Sequence, residues 1–97
     1  MATITFIARM TCKPEKREEF IKLCRMLEEY SRANEPGTLS YQFFKLREDN
    51  RYAVLESFRD AAAEHLHMNS KILAETAPKI SACLTGTWER EYFDELE

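Results

Sequence analysis

Hydrophobic and polar positions along the chain change period several times, and each change marks an element. Ile4, Phe6, Ala8 and Met10 alternate with Thr3, Thr5, Ile7, Arg9 and Thr11. A period of two predicts a strand over residues 2–11. Pro14 then suits the first position of a helix, and Glu15, Glu18 and Glu19 suit its positive dipole end. Phe20, Leu23, Cys24, Leu27, Tyr30 and Ser31 recur every three or four residues, as on one helix face. Glu35-Pro36-Gly37 ends that unit. Residues 38–47 and 51–58 are strand-like and flank the polar turn Glu48-Asp49-Asn50, a hairpin signal. Asp60 suits a helix N-cap. A helix is predicted from there to about Ala77, where Pro78 interrupts, and a last strand over 83–93.

The order βαββαβ predicts an α+β ferredoxin-like fold, one antiparallel sheet with both helices on one face. The strands are not cleanly amphipathic: Phe6-Ile7, Phe43-Phe44 and Val54-Leu55 are adjacent apolar pairs. Helices cover one sheet face, so the other should also be covered. A second copy of the same sheet is the simplest cover.

The chain has 97 residues and a formal charge of −3, which fits a single domain over 1–97 with a modest core. No basic footprint for nucleic acid is present, and no apolar run approaches a membrane span. Met1-Ala2-Thr3-Ile4 leads directly into strand-like sequence without a basic segment and a long apolar one, so a cytoplasmic location is expected. Cys12, Cys24 and Cys83 are widely spaced and form no CxxC pair. Small buried thiols are expected, not a disulfide framework or a metal site.

The candidate chemistry lies in Glu56-Ser57-Phe58-Arg59-Asp60 and His67-Met68-Asn69-Ser70. Glu56 and Phe58 are two apart and share a strand face. Ala63, Leu66, His67, Ser70, Leu73, Ala74 and Ala77 fit one helix face, so His67 points inward. It is either a hydrogen-bonded core histidine or a group able to exchange a proton near neutral pH. Glu56, in an apolar strand, must be paired, with the backbone, Arg9 or His67 as candidate partners. Tyr41, Phe58, Trp88 and Phe6 are core packing or the walls of an aromatic pocket. Ser70 is a small inward polar group that donates either to a substrate oxygen or to a carbonyl within its own helix. His65 lies off the face and should be solvated.

In order and spacing, Lys13-Pro14-Glu15, Pro36-Gly37, Tyr41, Glu56-x-Phe58-x-Asp60, Ala62-Ala63 and His67-x-x-Ser70 resemble the antibiotic biosynthesis monooxygenase family of dimeric α+β barrels. The resemblance covers nearly the whole chain. It implies a homodimer with facing sheets and a pocket between helices and sheet in each protomer. Many members oxidise quinols, anthrones or related phenols with O2, using no metal or flavin. By this resemblance His67 and Glu56 are the catalytic candidates, Phe58, Ser70, Tyr41 and Trp88 bind substrate, and no cofactor is needed. The small aromatic substrate and O2 are the expected partners. Phe58 stands where Trp or Tyr is common, and Ile72-Leu73 where His-Phe is common. The haem-degrading branch needs an Asn and an axial His where Ala8 and Ala77 stand, which argues against haem degradation. An isomerase of a small polar or phosphorylated metabolite, and a non-catalytic dimeric small-molecule-binding module, are the alternatives.

Overall fold

A computed structural model describes residues 3–96; Ala2, expected in the first strand, lies outside them. The elements are β1 (Ile4–Thr11), a 3-10 turn (Pro14–Lys16), α1 (Arg17–Asn34), β2 (Thr38–Lys45), β3 (Arg51–Phe58), α2 (Ala61–Met68), α3 (Lys71–Ala82) and β4 (Glu89–Phe93). All neighbouring strands are antiparallel, in the order β2-β3-β1-β4. This is the predicted α+β ferredoxin-like arrangement, with the second helical region divided in two.

The sheet register sorts side chains by face. Phe6 pairs with Glu56, Ala8 with Val54, and Met10 with Tyr52. Phe6, Ala8, Met10, Val54 and Phe58 are fully buried with Phe20 and Leu27 of α1 and Ile80 of α3. Burying a large apolar side chain of this kind contributes roughly 1.5–3 kcal/mol, so these residues hold the helices on the sheet. On the opposite face stand Ile7 and Leu55, paired with each other, and the exposed Phe44 and Phe93. Arg9 is on that outer face too, where it pairs with Glu91 at 3.0 Å. It is therefore no partner for Glu56, because β1 alternates and only its even positions face the helices.

The second helical region departs from the expected continuous helix. Asn69 ends α2, and Ser70 starts α3 by accepting a hydrogen bond from Leu73 N at 3.3 Å. The break re-phases the buried stripe: Ala63 and His67 are buried in α2, Thr76 and Ile80 in α3, while Leu66 and Ala74 are exposed. Pro78 does not end α3, which runs on to Ala82. Pro78 and Ala74 both face solvent, so water can satisfy the carbonyl that proline leaves without a donor. Residues 83–88 form the α3 cap and a turn, with Gly86 at φ +81°, so the last strand begins at Glu89 and not at Cys83.

Gly37 fixes how closely α2 approaches the turn after α1. A Cβ on Gly37 would lie 2.7 Å from the Ala63 Cβ, and Arg59 N donates to Gly37 O at 2.8 Å. Gly37→Ala should therefore force α2 outward and destabilise the fold by roughly 1–3 kcal/mol, as overpacking does. Adding Ala63→Gly should recover part of that loss. Urea unfolding of the single and double variants checks both.

Candidate functional site

Three polar side chains converge between α2 and the sheet, each delivered by a separate local device. His67 sits in the last turn of α2, whose start is fixed by Asp60 accepting from Ala63 N at 2.8 Å. Glu56 comes from the middle of β3, on the helix-facing side. Glu35 is the C-cap of α1, held where Pro36 disfavours further helix. Between Thr38 and Ser40 the β2–β3 register shifts. This bulge lets Thr38 and Tyr41, three apart, both reach the inner side, where unbroken alternation would separate them.

Glu35 Oε1 accepts from His67 Nδ1 at 2.8 Å, Ser31 Oγ at 3.0 Å and Thr38 Oγ1 at 3.1 Å. On the other side of the imidazole, Nε2 lies 3.4 Å from Glu56 Oε1. That is ion-pair range, not a formed hydrogen bond, and Glu56 Oε1 is buried without a hydrogen-bond donor. His67, Glu35 and Glu56 are 3%, 7% and 5% exposed. Burial works against a charged imidazole, but the carboxylates of Glu56 and Glu35 outweigh it and raise the His67 pKa above its ordinary value. Tyr41 meets the imidazole edge-on, with ring centres 4.7 Å apart, and Phe58 lies at 5.3 Å. Burial, then Glu56, pushes the Tyr41 phenol up, so Tyr41 stays neutral.

A cavity of about 480 Å³ opens beside this group. Tyr41, Glu56, His67 and Trp88 line it, with Met68, Leu73 and Ala77 as apolar wall and Thr87 and Arg90 at its polar side. Four of the six residues singled out in the sequence are thus brought to one space. The other two are not. Phe58 is fully buried behind His67 and does not line the cavity. Ser70 caps α3 and faces a different depression, beside Tyr30 and His65, because the helix breaks where a continuous helix would have turned it inward. A further cleft, about 370 Å³, runs between α1 and β2. Its Glu28 is occupied by the Phe43 backbone N–H at 2.7 Å, and no histidine reaches it.

Glu35 and Arg90 are the residues that sequence reasoning missed. A signal for Glu35 did exist: a carboxylate at a helix C-terminus opposes the dipole, so it needs a partner of its own. Arg90 lies between Glu89 and Glu91, and nothing in that local pattern marks it.

No helix among the described residues is long and apolar enough to cross a membrane. Comparison with known proteins gives the same fold and a family. YcnE of Bacillus subtilis (strain 168), provisionally named a monooxygenase, is 42% identical over 65 residues, covering 66% of this chain and 67% of that protein. The Synechocystis protein sll1783 is 36% identical over 77 residues, or 78% of this chain, which spans about half (52%) of that protein's length. A crystal structure from Caulobacter crescentus CB15, provisionally assigned as an antibiotic biosynthesis monooxygenase, superimposes with a TM-score of 0.93 at 29% identity. That match covers 99% of this chain and 92% of that one. A conserved protein from Methanosarcina mazei Go1 gives 0.87 at 30% identity, covering 96% and 92%. The antibiotic biosynthesis monooxygenase family model matches residues 3–79, a span that includes Glu35, Tyr41, Glu56 and His67, and this chain belongs to that family.

Proposed function

We propose that the chain binds a flat, electron-rich hydroxyarene of the quinol type in the His67 cavity and promotes its oxidation by O2 without a cofactor. The observation that carries this reading is the imidazole clamped between two carboxylates at the wall of an open, largely apolar cavity. A cavity of this size suits a small molecule, which favours a ligand site over an interior filled by side chains. Its mostly apolar wall suits an aromatic better than a small phosphorylated metabolite.

The reaction balances without an added reductant. A quinol plus O2 gives a hydroxyquinone plus water; one oxygen atom enters the ring and the other leaves as water, with all four electrons supplied by the substrate. The protein's task is to favour the quinolate, which gives electrons to O2 more readily than the quinol. Glu35 and Glu56 favour the protonated form of His67, which suits it to donate to the developing phenolate oxygen, with Glu35 as its orienting partner. Glu56, whose side chain lines the cavity beside His67, is the proton acceptor. Phenol-to-carboxylate transfer is uphill by roughly 6 pKa units in water, about 8 kcal/mol. Stabilisation of the phenolate by the adjacent charge, in a site that excludes water, narrows that gap. O2 uptake with a panel of quinols tests the proposal. Uptake by wild-type protein that His67→Ala loses supports it; no uptake with any quinol sinks it.

The same reading includes a homodimer in the cytoplasm, formed through the outer sheet face. Ile7, Leu55, Phe44 and Phe93 supply an apolar patch there that no helix of the described residues covers. Sedimentation at micromolar concentration should give a dimer, since an obligate interface of this kind buries on the order of 2,000 Å² or more. A monomer would contradict it.

A further inference from the structure

We infer that the ligand of the His67 cavity carries an anionic group, a carboxylate or its equivalent, at the end of the ring opposite the hydroxyl, and that Arg90 binds it. The inference deepens the proposed function and takes from it the hydroxyarene end of the ligand.

Arg90 differs from the other arginines of the sheet. Arg9 and Arg51, on the outer face, are held by Glu91 and Glu89 at 3.0 Å each. Arg90 is one position out of phase with those glutamates and faces the helix side, where it pairs with Ala8 across β1. There it has no ion pair among the described residues. Its guanidinium instead stacks on the Phe6 ring at 4.6 Å. Phe6 is fully buried and stands directly between Glu56 on β3 and Tyr92 on β4. With Tyr92 also beside it, the guanidinium is a cation at the cavity wall that no carboxylate pairs among the described residues.

A second observation comes from the opposite end. Glu56 lines the cavity there, and a carboxylate at that position can accept from a ligand hydroxyl. β3 and β4 are two strand spacings apart, roughly 10 Å, and Glu56 and Arg90 both line the cavity. One aromatic ring with substituents at opposite ends bridges such a span. A hydroxyl donor on Glu56 and an anion on the planar fork of Arg90 then satisfy both ends.

Trp88 is the sole tryptophan of the chain and lines the cavity, so its fluorescence reports occupancy without any turnover. Anaerobic titration with 4-hydroxybenzoate should show binding about tenfold tighter than 4-hydroxybenzamide, which has the same shape and no charge. Arg90→Gln should abolish that preference, and raising salt should weaken the benzoate more than the amide. Equal affinity for the two probes, a preference that survives Arg90→Gln, or binding of neither at millimolar concentration would each overturn the inference. The O2-uptake assay separates it from the functional proposal. Charge-selective binding without uptake on any quinol leaves Arg90's role intact and removes the oxygenase. Uptake on neutral quinols with no preference for the anion does the reverse.

Discussion

Glu35→Ala should destabilise the protein by about 3–5 kcal/mol, the loss expected when one member of a buried ion pair is removed. Glu35 Oε1 is the shared acceptor for His67, Ser31 and Thr38. It therefore ties the end of α1, the start of β2 and the last turn of α2 together. Removing it leaves two hydroxyls without their acceptor and an imidazolium facing only the more distant Glu56. Glu35→Gln should cost less, because the amide oxygen still accepts hydrogen bonds, but it should lower the His67 pKa. Urea unfolding measures the first effect and a histidine titration the second. A loss below about 1 kcal/mol for the alanine variant would mean that the buried contacts are not coupled as described.

The second large effect concerns turnover. On a quinol that the wild type oxidises, His67→Ala should lower kcat/KM by about 10²–10³, the cost of removing one donor to a developing oxyanion. The truncation also opens a void and leaves Glu35 without the His67 N–H donor, so a fall in activity alone does not distinguish lost chemistry from a lost fold. His67→Gln separates the two: it fills the space and keeps an N–H group but no positive charge. It should remain folded by circular dichroism and stay impaired. His65→Ala, altering an exposed residue of the same helix, should do little to either property. Full activity in His67→Gln would show that the charge is not required.

Much of the fold was legible because each element repeats one period. The alternation in β1, the i, i+3, i+4 stripe of α1 and the polar turn before β3 all reappear in the structure, with Asp60 at its N-cap. The break at Asn69-Ser70 was not legible, because Ser70 also fitted the extrapolated stripe. Local capping of Leu73 N prevailed over periodicity there, and Ser70 moved away from the cavity. Periodicity did bring His67 and Glu56 toward one space, while Trp88 reaches it from the turn before β4. Glu35 was hidden for another reason. Its role arises from a helix end and a strand bulge that meet only in three dimensions, and the Pro36-Gly37 signal beside it shows a turn without showing what the turn delivers. Arg90 was hidden by its neighbours: in a run of alternating charges, only the strand register shows which one faces inward.

Glu35 and Glu56 flank His67 and favour its protonated form beside the cavity. Its linkage to stability has a definite sign. A raised histidine pKa contributes stability that is fully present below the unfolded value of about 6.5 and is lost as pH rises through the folded value. The most direct measurement is a ¹⁵N NMR titration of the His67 ring nitrogens, assigned by comparison with His67→Gln. Both nitrogens should be protonated at pH 7, with loss of the proton only at higher pH, and Glu35→Gln should move that step downward. A ring that is neutral at pH 7, titrating at or below about 6.5, would contradict the claim.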